Sequence, residues 1–286
     1  MPDDVGVVDA MIGFPSSDPA RHYAFLTTQL RDAASATMRF PAEYMFTDAP
    51  APLDERLDPV AATLAEMDHY GIAVGLVGLG PKSAARALAE HPDRFRATLE
   101  VDPNDIAAAV AAIRAAHGEH RIVAVTTFPA GCNPQVPVSD RRYYPVFQVC
   151  VDLGLPIVMN AGIAGPRVPS ACQDVMHFDQ VCYDFPGLQV VMRHGAEPWG
   201  ELAVKLMLKW PGLHYMTSAF APKYYPKEII DFANTRGADK IVYAGYYPLG
   251  LTLERIFTEL PNVPFKDEVW PRFLRENAMR VFKLDS

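Results

Sequence analysis

At 286 residues the chain is long for one domain but ordinary for an α/β barrel. Half of its residues are hydrophobic, enough to fill a barrel interior and also the inner faces of the surrounding helices. A formal charge of −8 with no block of Lys or Arg argues against nucleic acid or an anionic membrane as partner. No apolar run reaches the length of a membrane span, and Met1-Pro2-Asp3-Asp4 lacks the basic and apolar regions of a signal peptide, so the expected location is the cytoplasm. Cys132, Cys150, Cys172 and Cys182 form no C-x-x-C pair and read as free thiols. Cys132 stands apart because it lies in a Gly/Pro-rich loop just after a predicted strand.

Taken in chain order, apolar runs predict strands at Val5–Ile12, Ala73–Gly78, Phe95–Val101, Ile122–Phe128, Leu155–Ala161, Leu188–His194, Leu213–Ser218 and Lys240–Ala244. Segments with helical spacing separate them, among them Pro59–Tyr70, Asp105–Ala116, Tyr144–Leu153 and Glu201–Lys209. Gly71, Gly154 and Gly187 each stand immediately before the next strand, as helix stops do. Eight strands alternating with helices predict a (β/α)8 TIM barrel; a doubly wound open sheet is the competing architecture. Residues Ser16 to Leu57 fit no βα unit and read as an N-terminal insertion or lid, and Glu268–Phe282 reads as an extra C-terminal helix. With no repeat or linker, a single domain over residues 1–286 is expected. Gly75, Gly78 and Gly80 give G-x-x-G-x-G, which is not the dinucleotide fingerprint; a tight βα turn accounts for them.

A parallel barrel gathers its chemistry at the C-terminal ends of its strands. Here those ends carry Asp9-Ala10-Met11-Ile12-Gly13-Phe14, Asn160-Ala161-Gly162, Arg193-His194-Gly195-Ala196-Glu197-Pro198-Trp199, Thr217-Ser218-Ala219 and Gly245-Tyr246-Tyr247-Pro248. Together with Phe185-Pro186-Gly187-Leu188 and Asn277-Ala278-Met279-Arg280-Val281-Phe282, their order resembles the amidohydrolase superfamily. The likeness is to the amidohydrolase 2 branch, which holds aminocarboxymuconate-semialdehyde decarboxylase and related aromatic-acid decarboxylases. It spans nearly the whole chain, and the order of the motifs, not any one of them, makes it specific.

Metal-binding members of that family carry Asp-x-His-x-His on the first strand, where this chain has Met11 and Gly13 at the two His positions. The fifth-strand His is replaced by Asn160, and the eighth-strand Asp by Tyr246; His194 remains. A divalent ion needs about three or four N, O or S ligands, so no metal and no other cofactor is expected. His194, Tyr246 and Asp9 become the candidate catalytic residues, all three expected to face inward by strand alternation. For Asp9 the alternative is a buried carboxylate hydrogen-bonded within the barrel. Asn160 and Tyr246 offer an amide and a hydroxyl to a substrate oxygen. Met11, Phe14 and Tyr247 would supply apolar contact, Arg167 a carboxylate-binding cation, Ser218 a hydrogen bond, and Glu197 an orienting partner for His194. Arg193 is expected to point outward.

Three functions are compatible with these residues. The first is a metal-independent enzyme acting on a small carbonyl or carboxylate compound by proton transfer, of lyase, isomerase, hydratase or cyclase type. Similar pyrone-dicarboxylate lactonases work without metal but keep the eighth-strand Asp, so its loss here weakens hydrolysis. The second is a non-catalytic binding barrel. The third is a metal enzyme with ligands from elsewhere, for example His177 and Asp179. The expected partner is a small molecule, and surface aromatics such as Phe220, Tyr224 and Tyr225 would suit either a homodimer interface or a pocket rim.

Overall fold

The computed structural model describes residues 1–2, 4–46 and 49–284. Its strands are β1 (Val7–Asp9), β2 (Ile72–Gly78), β3 (Phe95–Glu100), β4 (Ala124–Thr127), β5 (Ile157–Asn160), β6 (Val190–Arg193), β7 (Leu213–Met216) and β8 (Ile241–Val242). They pair in chain order and in parallel. The Ala10 amide donates to the Tyr243 carbonyl at 3.2 Å and the Tyr246 amide to the Met11 carbonyl at 3.1 Å. These two bonds bring β8 back to β1 and close the (β/α)8 barrel.

Seven helices fill the crossovers: α1 (Pro59–His69), α2 (Lys82–Glu90), α3 (Ile106–His120), α4 (Tyr144–Leu153), α5 (His177–Asp184), α6 (Gly200–Lys209) and α7 (Lys227–Ala233). Local chemistry sets their ends. Asp58 and Asp105 cap α1 and α3 by accepting from the amides of Val60 and Ala108. Gly154, with φ of 66°, ends α4 as the sequence predicts. Strand alternation then divides the apolar residues into two layers. Val8, Leu76, Val158, Val191, Met216 and Val242 meet inside the barrel. Val7, Ile72, Phe95, Ile157, Met192 and Leu213 pack outward against the helices.

Two terminal segments complete the frame. After α8 (Leu253–Glu259), the expected single C-terminal helix is instead a π-turn (Arg272–Glu276) running into α9 (Asn277–Val281). Arg280 and Lys283 donate to the carbonyls of Asp239 and Gly154, just ahead of β8 and β5. The segment therefore crosses the N-terminal end of the barrel, and Val281, Phe282 and Leu284 enter the inner core. At the opposite end, residues 16–46 and 49–57 include short 3-10 turns (Pro19–Leu26, Ser35–Thr37, Glu43–Met45) and lie over the mouth. Polar contacts help to hold this lid. The Gln29 amide donates to the Gly131 carbonyl at 2.8 Å, the Tyr44 hydroxyl to the Gly165 carbonyl at 2.7 Å, and Arg167 pairs with Asp32 at 2.6 Å. Among the described residues no helix is long and apolar enough to cross a membrane.

Gly162 shows how tightly the mouth is built. Its φ is +87°, and a Cβ would stand 2.6 Å from the Glu197 carbonyl oxygen and 2.8 Å from the Ala196 carbonyl carbon. Backbone cannot yield as a side chain can, so Gly162→Ala is expected to destabilise the protein by about 2–4 kcal/mol. A lower urea midpoint at unchanged slope would show it; an unchanged midpoint would mean that the β5 and β6 loops separate freely.

Candidate active site

The mouth holds a cavity of about 1560 Å³. Four non-glycine residues around it take left-handed backbone: His194 (φ 68°), Ala196 (61°), Ala219 (70°) and Tyr246 (69°), all just past β6, β7 or β8. Each such residue costs on the order of 1–3 kcal/mol and persists only where the surroundings fix it. Three of them, His194, Ala219 and Tyr246, line the cavity, whatever strand parity would have done with them.

Arg193 is the centre of the polar floor. It shares the inner face of β6 with Val191, so the outward orientation expected from the sequence is corrected: the ladder ends at Arg193, and parity runs through it. The residue is 8% exposed and lines the cavity. Its Nε donates to Asn160 Oδ1, and its Nη2 lies 3.2 and 3.4 Å from the two Glu100 carboxylate oxygens and 3.5 Å from the Thr127 carbonyl. Thr126 Oγ1 donates to Glu100 Oε2 at 2.6 Å. A buried guanidinium needs such compensation. Because the Glu100 side chain remains half exposed, the pair is open to the cavity on one side. Arg193 Nη1 makes no bond to the described residues and is available to a ligand.

His194 stands next to this cation. Its Nδ1 is 2.9 Å from the Ser218 hydroxyl, and its ring meets that of Tyr246 edge-on at 5.0 Å. Burial, followed by repulsion from Arg193, pushes the imidazole pKa down to about 3 against the opposing bond with the Ser218 backbone. At neutral pH His194 is therefore uncharged, a proton acceptor and not a donor. Tyr23 of the lid stands beside Tyr246, and burial holds the Tyr246 pKa above the usual phenol value against the opposing influence of Tyr23. Tyr246 is thus a neutral donor throughout the physiological range.

The remaining candidates divide clearly. Met11, Phe14, Asn160 and Tyr247 line the cavity. Ser218 is fully buried behind His194 and reaches the cavity only through it. Asp9 does not line the cavity, contrary to the inward orientation expected. It lies on the outer face of β1 with Val7, whereas Val8 and Ala10 face in. There Asp9 Oδ1 accepts from the Met11 amide at 3.0 Å and the Gly245 amide at 2.9 Å, stitching β1 to β8. Glu197 points away: it is exposed, outside the cavity lining, and makes no side-chain bond to His194. Arg167 is spent on the lid, paired with Asp32 and stacked over the Tyr44 ring at 4.8 Å. Cys132 does line the cavity, but burial and Asp102 drive its thiol pKa far upward, so it is no thiolate nucleophile. Sequence reasoning missed Glu100 and Tyr23, and misplaced Arg193.

The donors at the mouth do not suit a divalent ion. Asn160 Oδ1 is taken by the Arg193 guanidinium, a fixed cation in the position where a second would be repelled. Among the described residues no three His, Cys, Asp or Glu side chains converge as a metal would require. His177 and Asp179, the alternative ligands, are engaged elsewhere: His177 with the Ser139 hydroxyl at 2.8 Å, and Asp179 with Lys209 at 2.7 Å and the Trp210 indole at 2.6 Å.

The order of the strand-end motifs has its counterpart in a family match: the amidohydrolase family model covers residues 18–284. The chain is a member of the amidohydrolase 2 family. The resemblance read from the motifs is thereby established, together with the barrel that the family shares. No curated protein matches this amidohydrolase in sequence. Among solved structures it resembles an uncharacterised TIM-barrel protein from Bordetella bronchiseptica, with a TM-score of 0.73, 21% identity, and coverage of 97% of this chain and 98% of that one. It also resembles the 5-carboxyvanillate decarboxylase of Novosphingobium aromaticivorans, solved with bound manganese, with a TM-score of 0.68, 14% identity and 98% of each chain covered. The 2,6-dihydroxybenzoate decarboxylase of Rhizobium gives 0.66 and 15%, over 99% of this chain and all of that one. At these identities the likeness is one of fold.

Proposed function

We propose that this amidohydrolase is a metal-independent enzyme that removes and returns a proton on a small conjugated carboxylate or keto acid, in a reaction of lyase or isomerase type. The observation that carries this reading is the pairing of a fixed, half-compensated guanidinium with an uncharged imidazole at one cavity floor. The substrate carboxylate would bind Arg193 Nη1 and compete with Glu100 for Nη2. His194, held by Ser218 through Nδ1, would take a proton from carbon adjacent to the carbonyl, and the Tyr246 hydroxyl would donate to the carbonyl oxygen as negative charge develops there. Anion binding cancels part of the repulsion that depresses His194, so the imidazole gains basicity when substrate arrives.

Decarboxylation, the reaction named for two of the neighbours in fold, is less well served by an imidazole that is neutral, because ring-carbon protonation needs an acid. Proton abstraction fits it better. The test is hydrogen exchange at C3 of phenylpyruvate, the methylene next to its ketone, in D2O, followed by NMR with EDTA present. The wild-type protein is expected to accelerate exchange above the solvent rate, and His194→Gln to lose roughly 10²- to 10³-fold of that acceleration while still binding the ligand. Exchange that disappears with EDTA, or that survives in His194→Gln, would contradict the assignment.

A further inference from the structure

The cavity is far larger than a single-ring acid requires. Drug-sized ligands occupy pockets of about 300–1,000 Å³ that bury most of their surface, and this one reaches about 1560 Å³. Arg193, His194 and Asn160 form its floor. The solvent-side walls combine exposed charged residues, among them Asp18, Arg21, Glu55 and Lys82, with apolar and aromatic ones. Phe25 of the lid meets Phe128 of the β4 loop edge-on at 6.4 Å, and Phe46 of the lid stacks on Tyr246 at 6.0 Å. Most telling is where the chain leaves large apolar side chains uncovered. Phe25 (54% exposed), Met45 (55%), Leu57 (57%) and Ile163 (59%) all line this one cavity, the first three from the lid and the last from the β5 loop. Exposed apolar residues scattered singly need no explanation, but a set converging on a concave mouth marks a binding surface.

We infer that the physiological ligand is an acid with a body of two or more fused or linked rings. Its carboxylate sits at Arg193, and its far rings rest between Phe25, Phe128 and Ile163. The inference rests on the reading of Arg193 as the carboxylate anchor and adds to it the length and character of what the anchor holds. Aromatic walls suit flat rings, which gain offset or edge contacts with Phe and Tyr beyond simple burial. A single ring at the floor would leave the rim aromatics facing water.

Calorimetric titration with benzoate, 2-naphthoate and 2-anthracenecarboxylate tests this directly. Kd is expected to fall roughly ten-fold with each added ring, the gain that burial of one ring's apolar surface brings. In the double variant Phe25→Ser, Ile163→Asp, whose changes fall on exposed positions, the gain with ring number is expected to vanish while benzoate affinity stays within about two-fold. A Kd that stays flat or rises beyond one ring overturns the multi-ring assignment and leaves the anchor intact. Binding of 2-naphthalenemethanol as tight as that of 2-naphthoate overturns the anchor instead. A double variant that keeps the ring gain but changes from dimer to monomer in sedimentation shows that the rim serves a second copy of the chain, and also overturns the proposal. Absence of heat with all three acids overturns both readings.

Discussion

Arg193→Met is expected to weaken the binding of an aromatic carboxylate such as benzoate by roughly 10- to 100-fold, the worth of a charge-assisted hydrogen bond at a partly desolvated site. Methionine keeps most of the length and fills the same space, so lost packing contributes little. Stability should fall by about 1–3 kcal/mol: buried Asn160 Oδ1 loses its donor, while Glu100 has a half-exposed side chain and can take water from the cavity. Glu100→Gln should act in the opposite direction. With its competitor neutralised, Arg193 should bind the same ligand several-fold more tightly. Calorimetry on the two variants separates an anion anchor from a structural ion pair: a structural pair would make both variants unstable and leave affinity for benzoate alike in each.

The second large effect concerns Asp9. Its carboxyl is fully buried, and desolvation raises its pKa from 3.8 to about 7 against the two backbone amides that hold Oδ1. Among the described residues Oδ2 has no partner, and neither has the nearby Tyr243 hydroxyl. Both atoms crowd Gly245, where a Cβ would lie 2.6 Å from Asp9 Oδ2 and 2.9 Å from the Tyr243 oxygen. A raised pKa in the folded state means that folding is favoured by protonation. The contribution of Asp9 is therefore fully present below pH 3.8, declines as pH rises through about 7, and is lost above it. Asp9→Asn keeps Oδ1 for the two amides and never ionises. It should match the wild type near pH 4 and exceed it at pH 8 by on the order of 2–4 kcal/mol. Melting temperatures of both proteins between about pH 4 and 8 measure this; an Asp9→Asn variant less stable at every pH would mean that the carboxylate is needed in its charged form.

Much of the frame is legible in the sequence because each barrel strand announces itself as a Val/Ile run and each helix by its period. The ladders are shorter than those runs: Lys240–Ala244 contributes only Ile241–Val242 to pairing. Hydrophobicity reports burial, and burial extends past the last ladder bond into the mouth. The same property hides which way the site residues point. In a strand apolar on both faces, the sequence contains no alternation from which to read inside and outside. Asp9 and Arg193 consequently fall on the faces opposite to those expected. The inward placement of His194 is correct, yet its orientation comes from a left-handed turn and not from parity. One signal is available for Arg193: a charged residue inside a Val-Val-Met run, with Glu100 ending another strand, forms the kind of pair that a barrel interior demands. Glu197 and Arg167 lie on loops, whose courses depend on partners such as Asp32 in a lid that no periodicity describes.

Whether Arg193, and not a bound ion, supplies the positive charge at the cavity floor decides between this chemistry and a metal-dependent one. The most direct measurement is metal content by mass spectrometry of the protein after incubation with manganese and zinc and removal of unbound ion. Far less than one divalent ion per chain is the expected result. One ion per chain, lost when Asn160 or His194 is replaced, would contradict it.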